Sequence, residues 1–387
     1  MIVRYEPWGA WVKMETTAAL VALDRDGVRA LGLDGGEVWL GAPRRTPPIE
    51  VHLAVTSRCA AGCEGCYLDA KPDGVEPPAE TIERALDGLA AAGVLTVAFG
   101  GGEPTLRDDL GHLARAARAR GITPVVTTSG LGLGPRKIEQ LKSFAQVNVS
   151  YDGASEAYTS VRGFDGADAA ETAITRLAAA GVVVGVNVVL TRDTFERTRE
   201  TVRRAAHLGA SEVQLLRYKP QGRARALDYL AKRLSPEQAC GLAALLRELA
   251  AEHEGRVKIR IDCALVPFLS ADAEIAARPE ELARWGVLGC EAGDLLAATN
   301  VDGRVAPCSF TAATELHVEG LASGWAEEQG LAPYRDYVAA PVEPCASCTL
   351  RSVCKGGCKV VSEYAGGGVG ADPECPRVRA HAAGGGA

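Results

Sequence analysis

The hydrophobic pattern of the chain alternates between two kinds of segment from residue 49 to residue 262. Short runs rich in β-branched residues predict buried parallel strands, at Ile49–Thr56, Val94–Phe99, Thr123–Thr128, Gln146–Tyr151, Val182–Leu190, Glu212–Tyr218 and Val257–Asp262. Helical periodicity lies between them, at Pro78–Ala92, Asp108–Arg120, Pro135–Phe144, Asp168–Ala180, Phe195–Leu208 and Pro236–His253. Repeated β-α order predicts a parallel sheet with right-handed crossovers. Because the six units are too few for a closed eight-stranded barrel, we expect an α/β fold with a partial, open (β/α)6 barrel.

The segments on either side of this region have different patterns. Short runs at Trp11–Glu15, Ala19–Leu23 and Val28–Leu31 predict a small β meander, with a turn at 24–27 and a linker at 44–48. After Pro267 the chain becomes irregular and rich in cysteine, with a hairpin turning at 301–303. We therefore predict a meander and linker at 1–48, a barrel at 49–265, a cysteine-rich domain at 266–379 and a disordered Ala/Gly-rich tail at 380–387.

The composition excludes several classes of function. The 387 residues are 47% hydrophobic and 24% charged, as is typical of a globular enzyme. The net charge of −7 argues against a nucleic-acid partner, which requires a basic surface. The longest apolar run, 177–191, is interrupted by glycines and an asparagine, and the N-terminus lacks the apolar core of a signal peptide. We therefore expect no membrane association and a cytoplasmic location.

The twelve cysteines fall into two groups, with two left over. Three lie close together at Cys59, Cys63 and Cys66, whereas Cys240 and Cys263 are isolated. The second group has seven members: Cys290, Cys308, Cys345, Cys348, Cys354, Cys358 and Cys375. In a reducing compartment, clustered cysteines indicate metal ligation more often than disulfide bonds.

The first group occupies the loop that follows the first predicted barrel strand. Parallel barrels carry their chemistry in the loops at the carboxyl ends of their strands. Three thiolates spaced C-x3-C-x2-C can hold three irons of a [4Fe–4S] cluster and leave the fourth iron open. A structural zinc loop is the alternative, but such a site needs a fourth protein ligand. The loop after the second strand, Gly100–Pro104, reads GGGEP, which taken alone indicates only a tight turn.

Together these two loops resemble the signature of the radical SAM superfamily, in which the third cysteine is followed by an aromatic residue, here Tyr67. The resemblance implies that S-adenosylmethionine (SAM) binds the open iron and that one electron breaks its C–S bond. The products are methionine and a 5′-deoxyadenosyl radical that abstracts a hydrogen atom from substrate, so Cys59, Cys63 and Cys66 count as catalytic. It also implies that Gly101, Gly102 and Glu103 receive the SAM amino group and that backbone near Tyr67 contacts adenine.

Later strand ends match the same family. The resemblance implies that Thr128, in the segment Thr127–Gly130, borders the SAM site and that Ser150 or Asp152 faces the ribose. Arg162 would meet the SAM carboxylate, and Asn187 on the fifth strand is a further candidate. Each of these polar residues also has a plain alternative role as a cap or loop anchor.

The second cysteine group resembles the seven-cysteine SPASM extension of this superfamily, C-x(9–15)-G-x4-C followed by C-x2-C-x5-C-x3-C and a last cysteine. A zinc ribbon is the alternative, because C-x2-C pairs are common zinc motifs. The resemblance implies two auxiliary [4Fe–4S] clusters, and thus three in all: one held by Cys345, Cys348, Cys354 and Cys375, the other by Cys290, Cys308 and Cys358. The second set leaves one iron for another thiolate, a carboxylate, water or substrate. Cys263 is a candidate there, although a buried inert cysteine is the simpler interpretation, and Cys240 is expected to pack within a helix.

Within this class the chain looks closest to the maturases of the mycofactocin, pyrroloquinoline quinone and haem pathways, on the segments FGGGEPT (99–105), RYKPQGRA (217–224) and DPEC (372–375). The resemblance implies a peptide substrate that receives a cross-link or an oxidative decarboxylation. It also implies a flavodoxin- or ferredoxin-type electron donor. Either a separate leader-recognition protein or the N-terminal meander itself would present the peptide, since 48 residues before the barrel are short for a fused recognition domain. Open alternatives are the same chemistry on a protein side chain, a tetrapyrrole or another small molecule, peptide epimerisation, and a non-enzymatic electron-transfer or zinc protein.

Overall fold

The computed structural model describes residues 1–14, 20–41, 45–226 and 229–384. Its strands are β1 (Ile2–Glu6), β2 (Gly9–Lys13), β3 (Leu20–Asp24), β4 (Glu50–Thr56), β5 (Thr96–Gly101), β6 (Thr123–Thr128), β7 (Gln146–Ser150), β8 (Val184–Leu190), β9 (Glu212–Arg217), β10 (Lys258–Ile261), β11 (Leu296–Thr299) and β12 (Val305–Ala306). Its helices are α1 (Arg25–Ala30), α2 (Glu37–Leu40), α3 (Ala79–Ala91), α4 (Leu110–Ala119), α5 (Pro135–Leu141), α6 (Ser155–Arg162), α7 (Ala167–Ala179), α8 (Thr198–His207), α9 (Tyr229–Lys232), α10 (Pro236–Glu252), α11 (Ala273–Ala276), α12 (Pro279–Arg284), α13 (Leu321–Gly324), α14 (Ala332–Ala339), α15 (Arg351–Cys354), α16 (Lys359–Gly366) and α17 (Pro376–Gly384). Short 3₁₀ turns lie at 104–106, 195–197, 222–225, 263–271, 318–320 and 329–331.

The central sheet confirms the predicted open, parallel architecture. Its strand order is β10-β9-β8-β7-β6-β5-β4-β11-β12, and strands β4 to β10 pair as parallel neighbours in chain order. The two edges, β10 and β12, do not pair with each other, so the barrel is open. Along β6 and β7 buried and half-buried residues alternate, because one face packs on the helices while the other faces the barrel interior.

The N-terminal segment is a three-stranded antiparallel meander, as predicted, but its strands differ from the predicted ones. The order is β1-β2-β3, and β1 was not recognised in the sequence. The prediction of a strand at Val28–Leu31 is wrong, because helix α1 covers most of that run. Asp24 caps the start of this helix: its carboxylate accepts a 2.7 Å hydrogen bond from the Gly27 amide. Residues 15 and 19, at the ends of two predicted strands, and residue 44 of the predicted linker lie outside the described residues.

The C-terminal segment contributes to the same sheet before it becomes irregular. Strand β11 pairs in parallel with β4, and β12 returns antiparallel to it, which confirms the hairpin at 301–303. Strands β11 and β12 therefore extend the barrel sheet beyond residue 265. The domain boundary at that residue stays a prediction. The disordered tail is corrected for 380–384, which continue helix α17, while 385–387 lie outside the described residues. Within the described ranges, no helix is long and apolar enough to cross a membrane.

Candidate active site

The loop after β4 carries Cys59, Cys63 and Cys66 at the carboxyl edge of the sheet. The Cys59 amide bonds to the Lys71 carbonyl at 2.8 Å, and the Cys66 amide turns back to the Cys63 carbonyl at 3.3 Å. Burial raises the pKa of the Cys59 thiol, and the nearby charges of Glu103, Cys63 and Cys66 also raise this pKa. The three thiols therefore face one region, next to the loop that follows β5.

Two glycines allow the β5 loop to pack directly on the cysteine loop. The Gly102 amide bonds to the Thr56 carbonyl at 2.7 Å, and the Glu103 amide bonds to the Arg58 carbonyl at 2.8 Å. A Cβ at Gly101, where φ is +110°, would overlap the Thr56 carbonyl oxygen, and one at Gly102 would overlap that of Arg58. Only glycine permits this approach, which brings backbone amide and carbonyl groups beside the cysteines.

The buried Glu103 carboxylate joins the ends of β5 and β6. One oxygen accepts hydrogen bonds from the Thr105 amide and hydroxyl and from the Thr128 hydroxyl, at 3.1, 2.6 and 2.7 Å. The other accepts from the Ser129 amide and hydroxyl at 2.7 and 2.6 Å. A carboxylate offers about four lone-pair sites, so this side chain is saturated. These hydrogen bonds tie the ends of β5 and β6 together, and the expected roles of Glu103 and Thr128 toward SAM stay predictions.

Asp152 and Arg162 form an ion pair beside the cysteine loop. Asp152 is fully buried, and its two oxygens accept from Arg162 Nε at 2.6 Å and from the Val189 amide at 2.7 Å. The Asp152 carboxylate thus positions Arg162, and the expectation that Ser150 or Asp152 faces the ribose stays a prediction. Burial lowers the pKa of Arg162, but the charges of Asp152 and Cys63 outweigh it and raise this pKa. The Arg162 guanidinium therefore lies close to the Cys63 thiol.

Ser150 and Asn187 lie side by side on β7 and β8, and the Asn187 side chain has an unused hydrogen-bond acceptor. The two residues are partners in the β7–β8 register and are half-buried. Asn187 Oδ1 is buried without a hydrogen-bond partner. Since leaving a buried acceptor unpaired costs about 1–3 kcal/mol, this atom fits a ligand that donates a hydrogen bond inside the barrel. The roles of Gly101, Gly102, Tyr67, Ser150, Arg162 and Asn187 toward SAM stay predictions.

Arg223 is a site residue for which sequence reasoning assigned no role. Its guanidinium donates to the Cys63 carbonyl at 2.9 and 2.8 Å, to the Ala70 carbonyl at 2.9 Å and to Asp69 at 2.9 Å. Its amide bonds to the Cys66 carbonyl at 2.8 Å. Arg223 thus holds the shape of the cysteine loop. The segment RYKPQGRA (217–224) contained it, but the sequence gave no sign of which loop it would clamp.

An aromatic contact joins the first cysteine group to the second. The rings of Tyr67 and Phe310 lie 4.5 Å apart, centroid to centroid, and Phe310 follows Cys308 by two residues. Lys219 Nζ lies 4.5 Å from the Phe310 ring and forms a 2.5 Å ion pair with Asp262. Burial raises the pKa of Tyr67 to about 12. The mouth of the barrel therefore lies directly against the cysteine-rich segment.

Four cysteines of the second group surround one cavity. Its empty space is about 370 Å³, part of it open to solvent, and its walls include Cys345, Cys348, Cys354 and Cys375. Burial raises the pKa of the Cys354 thiol, and the charge of Cys375 raises it further. Four thiols around one space are a donor set that fits a [4Fe–4S] cluster, as the sequence predicted for these four residues.

The remaining cysteines of the group lie between this cavity and the barrel mouth. Burial raises the pKa of Cys308 to about 12 and that of Cys358 to about 11, and the charge of Cys290 raises both. Burial likewise raises the pKa of Cys263, with further contributions from the charges of Asp262, Cys290 and Cys358. Cys263 therefore lies beside this set, whereas Cys240 is an exposed residue of α10. Over the described residues, no group of three or more His, Cys, Asp or Glu side chains is arranged to hold a single metal ion.

A buried ion pair fastens the cysteine-rich segment to the barrel. Arg217 at the end of β9 donates to both oxygens of Asp372, at 2.5 and 3.1 Å, and to Glu374 at 2.8 Å. The same guanidinium donates to the Ala264 carbonyl at 3.0 Å. Asp372 in turn accepts from the Cys358 amide at 3.0 Å. The position of Cys358 thus depends on a barrel residue.

An open parallel barrel with three cysteines after its first strand and a glycine cradle after its second defines the class of protein. Residues 53–205 match the model of the radical SAM superfamily, and the relatives below extend over most of the chain. Residues 53–205 thus form a radical SAM region, and over most of its length the chain is similar to the enzymes named below. That family implies SAM and a [4Fe–4S] cluster, and the three-cysteine loop, the cradle and the unpaired Asn187 oxygen fit them.

Relatives that are similar over most of the chain include a peptide cyclase and a mycofactocin maturase. The chain is 29% identical to the PqqA peptide cyclase of Ruegeria pomeroyi over 367 residues, which cover 90% of this chain and 91% of that protein. It is 28% identical to the mycofactocin maturase MftC of Mycolicibacterium smegmatis over 341 residues, 85% of this chain and 82% of that one. Its fold matches Streptococcus suis SuiB, solved bound to precursor peptide SuiA, with a TM-score of 0.75, 19% identity and coverage of 96% and 98%.

Proposed function

We propose that this chain is a radical SAM maturase that modifies a ribosomally made peptide, by a cross-link or an oxidative decarboxylation. The observation that carries the proposal is the contact between Tyr67 and Phe310, at 4.5 Å. It joins a three-cysteine loop, which leaves one iron open, to a second cysteine-rich region at the barrel mouth. Relatives named as a peptide cyclase and a mycofactocin maturase, together with a fold neighbour solved with its precursor peptide, support a peptide substrate.

The residues of the chain would bind, orient and shield the reacting groups. When bound, SAM would supply the hydrogen-abstracting chemistry, through one-electron cleavage of its C5′–S bond to methionine and a 5′-deoxyadenosyl radical. Cys59, Cys63 and Cys66 would hold the iron, while Arg223 keeps their loop in shape. Arg162, held by Asp152, would orient the SAM carboxylate, and Asn187 Oδ1 would accept a hydrogen bond from the nucleoside.

The two remaining cysteine sets would hold auxiliary [4Fe–4S] clusters. Cys345, Cys348, Cys354 and Cys375 form the first set around their shared cavity. Cys290, Cys308 and Cys358 form the second, with Cys263 as the fourth thiolate. Two observations favour Cys263. The charges of Cys290 and Cys358 contribute to raising the pKa of Cys263, so the three thiols lie close together. In addition, Arg217 Nη1 donates both to the carbonyl of Ala264, the next residue, and to Asp372 Oδ2. The same Asp372 oxygen accepts a hydrogen bond from the Cys358 amide.

The proposal includes partners outside the chain. A flavodoxin- or ferredoxin-type protein would deliver the electron, and a separate leader-recognition protein would present the peptide. We also propose a cytoplasmic location, where thiols stay reduced.

The test is anaerobic purification followed by incubation with SAM, reductant and candidate precursor peptides, read by mass spectrometry. We expect about twelve irons per chain, from three four-iron clusters, and a peptide mass change that requires SAM. The matched variants are Cys263→Ala and the exposed Cys240→Ala: the first should lose iron at one auxiliary cluster, the second none. Stoichiometric zinc with no absorbance near about 400 nm, where iron–sulfur proteins absorb, would refute the proposal.

A further inference from the structure

Lys359 is a buried cation in an unusual position. It is the first residue of helix α16, directly after Cys358, and only 2% of its surface is exposed. Burying an ammonium costs several kcal/mol unless it is paired. The N-terminal turn of a helix adds to this cost, because the helix dipole is positive there. Local physics alone would therefore disfavour a lysine at this site.

The contacts of Lys359 do not include a carboxylate. Its Nζ donates to the Lys355 carbonyl at 2.8 Å and to the Gly370 carbonyl at 3.4 Å, and it lies 4.1 Å from the centre of the Tyr337 ring. In the part of the chain that the structure describes, no Asp or Glu oxygen lies within 4.0 Å of this amine. Asp372, the carboxylate whose charge raises the pKa of Lys359, is itself bound to Arg217 and to the amides of Cys358 and Glu374.

Lys355, four residues earlier, shows the ordinary arrangement. Its Nζ lies 2.5 Å from Glu291 and 3.5 Å from Asp294, so its charge is neutralised by carboxylates. The sequence CKGGCK (354–359) thus places two lysines on either side of a Gly-Gly pair, one paired with acids and one not.

The backbone makes room for the unpaired ammonium at the wall of the cysteine cavity. Gly356 lines the cavity surrounded by Cys345, Cys348, Cys354 and Cys375. Its φ is +82°, and a Cβ there would lie 2.9 Å from Lys359 Nζ and would overlap the Tyr337 ring. Burial lowers the pKa of Lys359, whereas the charges of Cys290, Cys354, Asp372 and Cys345 raise it. Lys359 thus adjoins both groups of thiols: it directly follows Cys358 of one set, and its amine lies behind Gly356 in the wall of the cavity formed by the other.

We propose that Lys359 is the counter-charge shared by the two auxiliary clusters, and that it sets their reduction potentials by stabilising the negative charge gained when either takes up one electron. This inference rests on the proposed function, because it needs both clusters. Net charge and the surroundings of the cluster set the potentials of iron–sulfur centres, and a fixed cation in a poorly solvated site acts strongly. In catalysis, Lys359 would favour transfer of one electron from the substrate radical to an auxiliary cluster, which passes from the 2+ to the 1+ state.

The test is a redox titration of the anaerobic holoprotein, monitored by electron paramagnetic resonance, on Lys359→Met, Lys359→Gln and Lys359→Arg. Met removes the charge, Gln keeps hydrogen-bond donors without it, and Arg keeps the charge. We expect Met and Gln to lower the equilibrium constant for reducing an auxiliary cluster at least tenfold, about 59 mV for one electron. Arg should stay within threefold of wild type. The SAM-binding cluster serves as an internal reference, and Lys142→Met, on the barrel surface, as a matched control.

Unchanged auxiliary potentials in Met and Gln, or an equal change in Arg, would overturn the inference. Loss of the auxiliary clusters in all three variants would also overturn it, since Lys359 would then be needed for assembly. If wild-type protein itself contains a single cluster, the proposed function fails instead. The two failures are therefore distinguishable.

Discussion

The attachment of the cysteine-rich segment to the barrel depends on Arg217, and its removal tests the architecture most directly. Arg217 and Asp372 are 4% and 0% exposed, and they share two hydrogen bonds while a third reaches Glu374. Arg217→Met would leave the buried Asp372 carboxylate without its cation, whereas Glu374 would keep its ion pair with Arg233. Breaking a buried pair from one side costs about 3–5 kcal/mol. Asp372 keeps two amide donors, from Cys358 and Glu374, so we expect the lower end, about 3 kcal/mol.

The assay is urea denaturation of the anaerobic holoprotein, with hydrogen exchange to locate the change. In Arg217→Met, amide hydrogen exchange should become faster in α16 and around Cys358, while the amides of α3 in the barrel stay protected. The matched control is Arg233→Met, which removes a partly exposed ion pair to the same Glu374 at 2.9 Å and should cost less than about 1 kcal/mol. Neutralising the acids as well, in Arg217→Met/Asp372→Asn/Glu374→Gln, should restore part of the stability. An Arg217→Met loss no larger than that of Arg233→Met would refute the reasoning.

Three further predictions concern the site. Cys59→Ala, Cys63→Ala or Cys66→Ala should abolish formation of 5′-deoxyadenosine, measured by chromatography, while the auxiliary clusters remain; continued SAM cleavage in the triple variant would contradict the ligand assignment. Gly101→Ala should displace the β5 loop from Thr56, because φ is +110° and no space is free, and weaken SAM binding at least tenfold by calorimetry; wild-type affinity would show that the cradle is not used. After removal of the clusters, reconstitution with iron and sulfide should improve as pH rises from about 7 to about 9, because each thiol must release a proton on ligation. The pKa values of Cys358 and Cys308 are raised to about 11 and about 12, so these thiols are protonated over this pH range. An iron content independent of pH would argue against thiolate ligands at these two residues.

The order of elements along the barrel could be predicted from the sequence, because it depends on short-range periodicity. Strand β6, Thr123–Thr128, is the same in prediction and structure, and α10 differs from its prediction by one residue. Strand β11, Leu296–Thr299, was missed because the short run Leu-Ala-Ala-Thr carries no strand pattern of its own. It becomes a strand only because the exposed edge of β4 offers backbone partners.

The cysteine spacings by themselves determined the class of chemistry, since ligands of one cluster must lie close together and often come from one loop. They could not determine which polar residues stay available to a ligand. In the structure, Glu103 accepts hydrogen bonds from Ser129 and Asp152 accepts one from Arg162, contacts that the residue types alone do not specify. Contacts between distant residues, such as Arg217 with Asp372 or Tyr67 with Phe310, arise only when the sheet edge brings loops from different strands together. Local sequence encodes periodicity and spacing, whereas the pairing of charges and hydrogen bonds is decided by three-dimensional packing.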